Sequence, residues 1–285
     1  MKHEVLKYDV VLVKELWKYP VITNHELKLL LDLLEDYHPY KIALLFIAIE
    51  GMRPKEACQV LRKQIILDEN GDPKEIIHYV YKPKNRIGSK GERRIMYKKV
   101  RKPIFSNYLK EQLKGYLLYY PPYEFDKLFA FSETDSLQNW LKKIRLKAKN
   151  GELSERYNFL LDPNLYTLKG ENKTIYRVNL YALRRFSFTF HYWITFNQDA
   201  VTLSKTFGHS RVDTTLQYYI FPPESIGLTR DMINKKISID NFIKLLPAGQ
   251  KYLDEFFPKR QVSIPKVPGQ RRLDNYFEFF TTANK

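Results

Sequence analysis

Three features of the chain predict a mainly α-helical protein carrying a small three-stranded antiparallel β-sheet, an α+β arrangement. Apolar residues recur at helical spacing over several stretches, the pattern shifts to short β-rich runs after Gln64, and helical spacing returns near Ser106. The 285 residues are 44% hydrophobic, which fits one large domain or two modest ones and excludes disorder throughout.

The elements follow in order. Residues 1–20 form a short lead. Thr23-x-x-Glu26 has the form of a capping box, and the helix behind it places Leu at 27, 30, 31, 33 and 34. KIALLFIAIE is apolar on nearly all sides and predicts a buried central helix. Gly51 ends that helix, and Pro54 at a first helical position starts the next one, leaving Arg53 in the turn between them. Ile65–Leu67, Glu75–Tyr81 and Arg94–Tyr97 predict three strands, joined by the turn segments DENGDP and NRIGSKGE. Helices are expected over Asn107–Leu118, Ser136–Ala148, Leu180 to about Phe196, and Asp199–Phe207, with a polar irregular insertion over 149–178. The expected division is therefore a lead, a domain over 21–247, and a flexible tail over 248–285 rich in Pro and polar residues.

Composition narrows the function classes. The single Cys58 rules out a disulfide framework and any CxxC zinc or redox site. The longest uncharged apolar run, Ile42–Ile49, is too short to span a bilayer, and MKHEVLKYDV lacks the apolar stretch of a secretion signal. A soluble cytoplasmic, nucleoid-associated protein is the expectation. The formal charge is +16, from 48 Lys and Arg against 32 Asp and Glu. Such a surplus points to a polyanionic partner, with general lysine enrichment as the bland alternative.

Four segments carry candidate chemistry. Gly51-Met52-Arg53-Pro54-Lys55-Glu56 holds an Arg in a tight turn between helices. The hairpin Lys82–Lys102 has ten Lys or Arg among 21 residues, with Glu92 its sole acid. Tyr181-Ala182-Leu183-Arg184 places two polar residues three apart on one helix face. Gly208–Tyr218, GHSRVDTTLQY, offers Ser210-x-x-Asp213 as the cap of a short helix ending at a tyrosine. Each segment alone has a plain structural explanation: a carbonyl-binding Arg, a solvated edge, a half-buried pair, a satisfied turn His. Their order and spacing carry the functional signal.

Taken together, over roughly residues 20–220, the chain resembles the tyrosine recombinase (integrase) family. The family pattern is G-L-R-x-x-E, a hairpin Lys, H-x-L-R, and L-G-H-S-x-x-x-T-T-x-x-Y; the chain has GMRPKE, KPKNR, YALRR and FGHSRVDTTLQY. The resemblance implies attack of a Tyr hydroxyl on a DNA phosphodiester, giving a 3′-phosphotyrosyl link and a free 5′-hydroxyl. It implies that Arg53 and Arg184 bind the non-bridging oxygens, that a hairpin Lys protonates the leaving oxygen, that His209 hydrogen-bonds the phosphate, and that Tyr218 is the nucleophile. Lys84 is the first choice for the general acid, with Lys82 and Lys90 as alternatives. Lys82, Arg86, Lys90, Arg93 and Arg94 are the expected DNA contacts. Tyr219 is expected to face about 100° away from Tyr218 on the helix. No metal, ATP or other cofactor is implied, and the six His show no paired ligand spacing.

Two departures from the family pattern bear on activity. Tyr181 stands where the first His belongs, and a phenol with a pKa near 10 is a poor proton acceptor at neutral pH. The pattern also begins near residue 21, which leaves no room for the family's N-terminal DNA clamp domain and predicts a weaker grip. If the segment beyond the tyrosine docks on a neighbouring subunit, as is common in the family, Ile237–Leu246 is the expected contact.

The tail repeats one pattern twenty residues apart. Gln250, Leu253, Phe256 and Phe257 form Q-x-x-L-x-x-F-F, and Gln270, Leu273, Tyr276 and Phe277 form Q-x-x-L-x-x-Y-F, each preceded by Gly. Both resemble the PIP box that binds the sliding clamp PCNA, in which a helical turn seats Leu and two aromatics in an apolar pocket. Two boxes on one ring would raise avidity. The expectation is a clamp-recruited, archaeal, mobile-element or chromosomal recombinase acting on duplex DNA, as a homo-oligomer on paired sites and with no membrane partner. The alternatives are a type IB topoisomerase-like relaxase and a catalytically silent DNA-binding adaptor.

Overall fold

The structure, a computed structural model, describes residues 20–87, 93–120, 123, 126–163 and 176–245, except for the side chains of 81–97. The chain divides into two units, Met1–Pro247 and Ala248–Lys285, and every described residue belongs to the first. Gln250, Leu253, Phe256, Phe257, Gln270, Leu273, Tyr276 and Phe277 lie outside the described residues.

Helix α1 (Asn24–Asp32) begins with the expected capping box. The Thr23 hydroxyl accepts from the Glu26 amide at 3.2 Å, and the Glu26 carboxylate accepts from the Thr23 amide at 2.9 Å. Helix α2 (Pro39–Ala48) is buried from Lys41 through Ala48, as its all-round apolar text requires. It ends before Gly51, whose φ of +60° only glycine adopts freely. A Cβ on Gly51 would also stand 2.4 Å from the Phe207 ring, so turn geometry and packing both exclude a side chain there. Helix α3 (Pro54–Cys58) follows at once, with Arg53 as its N-cap residue.

The sheet has the order β1–β2–β3 and is antiparallel throughout. Strand β1 (Ile65–Leu67) matches its expected span, whereas β2 (Pro73–Ile87) and β3 (Arg93–Pro103) run well beyond theirs. Proline and dense positive charge hid these extensions. Pro83 sits at an irregularity in the β2–β3 ladder, where a missing amide donor is tolerated. The inner face of the sheet presents Ile76, His78 and Val80 from β2 and Val100 and Lys102 from β3, all buried.

Helix α4 (Asn107–Tyr119) is capped by Ser106, and α5 (Asp135–Lys149) buries Leu137, Leu141, Ile144 and Ala148 at helical spacing. Helix α6 (Leu180–Trp193), capped by the Asn179 side chain, packs on α2 and is buried along most of its length. Helix α7 (Ala200–Thr206) leads through Gly208 to α8 (Val212–Tyr219). The cap of α8 differs from expectation: the N-cap residue is Arg211, and it makes no side-chain capping bond. The extended backbone of Arg211 (φ −129°, ψ 125°) starts the helix one residue late for the Ser210 hydroxyl to cap it.

Beyond Tyr219 the chain forms two five-residue helices not anticipated from sequence, α9 (Arg230–Asn234) and α10 (Ile239–Ile243). Phe242 stacks on Phe186 and Phe190 of α6 at 5.8 and 5.3 Å, and Ile239, Ile243 and Leu245 are buried with it. Asp240 accepts from the Asn107 amide at 2.8 Å and from the Ser106 hydroxyl. Within Ile237–Leu246, the segment named for a possible subunit contact, Ile239, Phe242, Ile243 and Leu245 are buried in this chain. Among the described residues no helix is long and apolar enough to cross a membrane.

Candidate functional site

The site starts from the Arg-Pro-x-Glu turn. Pro54 and Glu56 are first- and third-position residues of α3, so the Glu56 side chain folds back to the N-cap. Its carboxylate accepts from the Arg53 amide at 2.9 Å and from Arg53 Nη1 at 2.7 Å. Glu56 Oε2 also lies 3.7 Å from Nη1 of Arg184 on α6. One nearly buried carboxylate therefore anchors two guanidinium groups from different elements, and it neutralises only one of the two charges.

Arg184 is fully buried, with its guanidinium 5.1 Å from the Phe188 ring centroid and 5.2 Å from that of Tyr219. Burial pulls its pKa down to about 10; Tyr219 opposes that shift and Arg53 adds to it. It remains charged at neutral pH. Its Nη2 is 2.9 Å from His209 Nε2. Arginine has only donors, so His209 Nε2 accepts, and the ring proton resides on Nδ1. That Nδ1 donates to Thr215 Oγ1 at 2.7 Å, and Ser204 Oγ donates to the same hydroxyl at 2.8 Å. The chain Ser204–Thr215–His209–Arg184 fixes one neutral tautomer. Arg184 Nε and Nη1 are buried without a hydrogen-bond partner, leaving donors available to an anion.

The tyrosine seated on this group is Tyr219. Its ring centroid is 4.9 Å from the His209 ring and 4.8 Å from Phe188, and its carbonyl accepts from Thr189 Oγ1 at 3.2 Å. The expectation has Tyr218 as the tyrosine facing the site, with Tyr219 about 100° round the helix. Tyr218 is half-buried one position earlier on the same final turn. The last turn of α8 thus places the Tyr219 ring at the Arg184–His209 pair, and Tyr218 precedes it in the same turn.

In front of the pair, an open cleft of ≈ 1370 Å³ is bounded by α3, β2, α5 and the start of α6. Arg53, Lys55, Lys142 and Arg145 make its wall basic, and Glu56, His78 and the 48% exposed Tyr181 also line it. Arg145 is pinned by donation to the Val178 carbonyl and by the Tyr176 ring at 4.5 Å. Arg184 lies behind this wall, not on it.

The side chains of Lys82, Lys84, Arg86, Lys90, Arg93 and Arg94 lie outside the described residues. Their backbone is described for all but Lys90, and Lys84 and Arg86 fall within the irregularity between Pro83 and Ile87. Lys102, counted with this basic hairpin, is buried. It shares a face with Val100, donates to the Glu50 carbonyl, and sits 3.2 Å from the buried Glu50 carboxylate. Arg101 is bonded to Glu75. Lys102 and Arg101 are thus each paired with a carboxylate of this chain.

Sequence reading passed over four groups. Glu56 stood inside the quoted turn and was legible as an α3 capping residue. Thr215 stood in the Thr-Thr pair, but its bond to His209 depends on where α8 starts. Ser204 and His78 gave no local signal.

No protein-family model matches the chain, and no curated protein matches it. Among solved structures, the chain is similar to the XerH site-specific recombinase bound to difH substrate in a pre-cleavage complex, with a TM-score of 0.40 and 18% identity over 72% of this chain and 52% of that one. It is similar also to XerH bound to a palindromic difH substrate in a post-cleavage complex, with a TM-score of 0.40 and 20% identity over 76% and 53% of the two chains. The chain spans about half the length of both.

Proposed function

We propose that the protein is a site-specific recombinase or integrase that cleaves and rejoins duplex DNA through a 3′-phosphotyrosyl intermediate. One observation carries this reading. Arg53 and Arg184 share the Glu56 carboxylate, a tautomer-fixed His209 bonds Arg184, and two tyrosines end the adjoining helix. Such a cluster suits phosphoryl transfer, where charge builds on the non-bridging oxygens and guanidinium and imidazole donors stabilise it.

In this scheme the Tyr218 hydroxyl gives its proton to solvent as its oxygen attacks phosphorus, and the bond to the 5′-oxygen breaks. Lys84, or else Lys82 or Lys90, delivers the proton to that oxygen. Reversal by a 5′-hydroxyl rejoins the strand, and the phosphotyrosyl bond conserves the energy of the phosphodiester. Tyr181, on the cleft rim, donates a phenolic hydrogen bond to the phosphate. Lys82, Arg86, Lys90, Arg93 and Arg94 track the duplex, and a pair of sites is bridged by further copies of the chain. The tail motifs at Gln250–Phe257 and Gln270–Phe277 recruit a PCNA-type sliding clamp.

The full chain, incubated with a randomised pool of duplexes nicked to trap the intermediate, tests the chemistry. A covalent adduct in the wild type that is missing in Tyr218→Phe is the expected result. No adduct under any condition leaves a DNA-binding adaptor, and relaxation of plasmid without site pairing leaves a topoisomerase-like relaxase. For the clamp, capture on immobilised PCNA should be lost when Phe256, Phe257, Tyr276 and Phe277 are changed to Ala, and unchanged capture defeats that part.

A further inference from the structure

The inner face of β2 has an imidazole where alternation favours an aliphatic side chain. Ile76 and Val80 are fully buried there, and His78 between them is 2% exposed. The same row supports the His209 turn, since a Cβ on Gly208 would come within 2.4 Å of Val80 Cγ2. His78 Nδ1 is buried and has no hydrogen-bond partner. Native folds satisfy most buried polar atoms, so one left open calls for an explanation such as a catalytic role or a bound water or ion.

Three further facts say what would satisfy it. His78 forms part of the wall of the basic cleft with Arg53, Glu56 and Tyr181. Arg184, which acts electrostatically on His78, has two more buried donors without partners, Nε and Nη1. Burial first, and then Lys102, Arg184 and Arg53, hold the His78 pKa at about 2, so its imidazole is neutral in any working buffer. A neutral imidazole keeps one N–H donor, and a cationic surrounding selects an anionic oxygen to receive it.

We propose that His78 is a direct phosphate ligand, donating Nδ1–H to a non-bridging oxygen of the phosphodiester held between Arg53 and Arg184. This rests on the strand-transfer reading. It adds a donor from the buried face of β2 to the groups supplied by the α3 turn, α6 and α8, and no proton changes hands.

The test compares adduct formation with thermal stability in the full chain. His78→Phe fills the same apolar row without the donor. The trapping rate on the nicked duplex pool should fall about 10²-fold, while the melting temperature stays level or rises. His78→Asn, which returns an N–H near Nδ1, should recover at least about tenfold of that loss, given that one well-placed donor accounts for it. Wild-type rates in both variants overturn the proposal. So does a rate loss matched by lost stability in both, because that is the mark of a packing residue. Should His78→Phe not fold, NMR of the histidine rings with orthovanadate added to the wild type decides the matter. A saturable shift of the His78 signal supports direct contact, and no shift overturns it. Wild-type protein that forms no adduct removes the strand-transfer reading and this proposal together, whereas a wild-type adduct unaffected by either variant removes His78 alone.

Discussion

The guanidinium of Arg184 lies 5.2 Å from the ring centroid of Tyr219, with Phe188 at 5.1 Å, and Arg184 is wholly shielded from solvent. The Phe188 and Tyr219 rings flank that guanidinium. The ring of Tyr219, not its hydroxyl, makes the stack. Tyr219→Phe should therefore keep the stack and trap DNA within about threefold of wild type, as expected for a change that alters no transition-state contact. Tyr218→Phe should abolish the adduct. The reverse pattern on denaturing gels would move the nucleophile to Tyr219.

Glu56 holds Arg53 through two hydrogen bonds and stands 3.7 Å from Arg184. Glu56→Ala would leave two positive groups without their shared counter-charge and strip α3 of its capping partner. Arg53 is partly solvated, which discounts the electrostatic loss, so about 2 kcal/mol of stability should disappear. Urea unfolding measures this, and added salt should return part of the loss by screening the two arginines. Equal stability in low and high salt would show that the repulsion is negligible.

The legible part of this site is the part encoded locally. Arg53 is placed by the Gly51 turn and Pro54, Arg184 by its helix, and His209 by the turn after Gly208; each needs only a few neighbouring residues. Long-range register hid the rest. Lys102 looked like one more hairpin cation until pairing with β2 put it on the inner face beside Val100, where it meets Glu50 from a segment 52 residues earlier. His78 depends on the same register. The choice between Tyr218 and Tyr219 is a 100° rotation on one turn, set by the start of α8 at Val212 and by the packing of Phe188. Helices α9 and α10 have five residues each, too few to display a period.

Arg184 fixes which nitrogen of His209 carries the proton, and Thr215 receives the hydrogen bond from that proton. With the Thr215 hydroxyl at 2.7 Å from Nδ1 and Arg184 Nη2 at 2.9 Å from Nε2, the ring is held in one tautomer and one orientation. Thr215→Val keeps the shape and removes the acceptor. Trapping should slow about tenfold to a hundredfold, the usual scale for losing a group that orients a functional histidine. Stability should fall by only about 1–2 kcal/mol, since Ser204 also loses its partner. An unaffected rate would show that Arg184 alone orients the ring.

Lys102 and Glu50 form a buried pair beneath the site, with the ammonium 4.4 Å from the Phe207 ring centroid and the Phe105 amide donating to Glu50 at 3.0 Å. Burial raises the Glu50 pKa and lowers that of Lys102, and each is the other's main compensation. Removing the lysine alone, as in Lys102→Met, should cost about 3–5 kcal/mol at neutral pH because an unpaired carboxylate remains inside. The pH dependence has a definite sign. With the folded Glu50 pKa above its unfolded value, the folded chain binds more protons, so stability in this variant falls as pH rises above the ordinary carboxylate value of 4.5. The slope should approach about 1.4 kcal/mol per pH unit until the folded pKa is reached, and the penalty should vanish below the unfolded pKa. Lys102→Met combined with Glu50→Gln should regain most of the stability and flatten the profile. A Lys102→Met variant equally destabilised at pH 4 and pH 8 would mean that lost packing against Phe207, not the stranded charge, sets its stability.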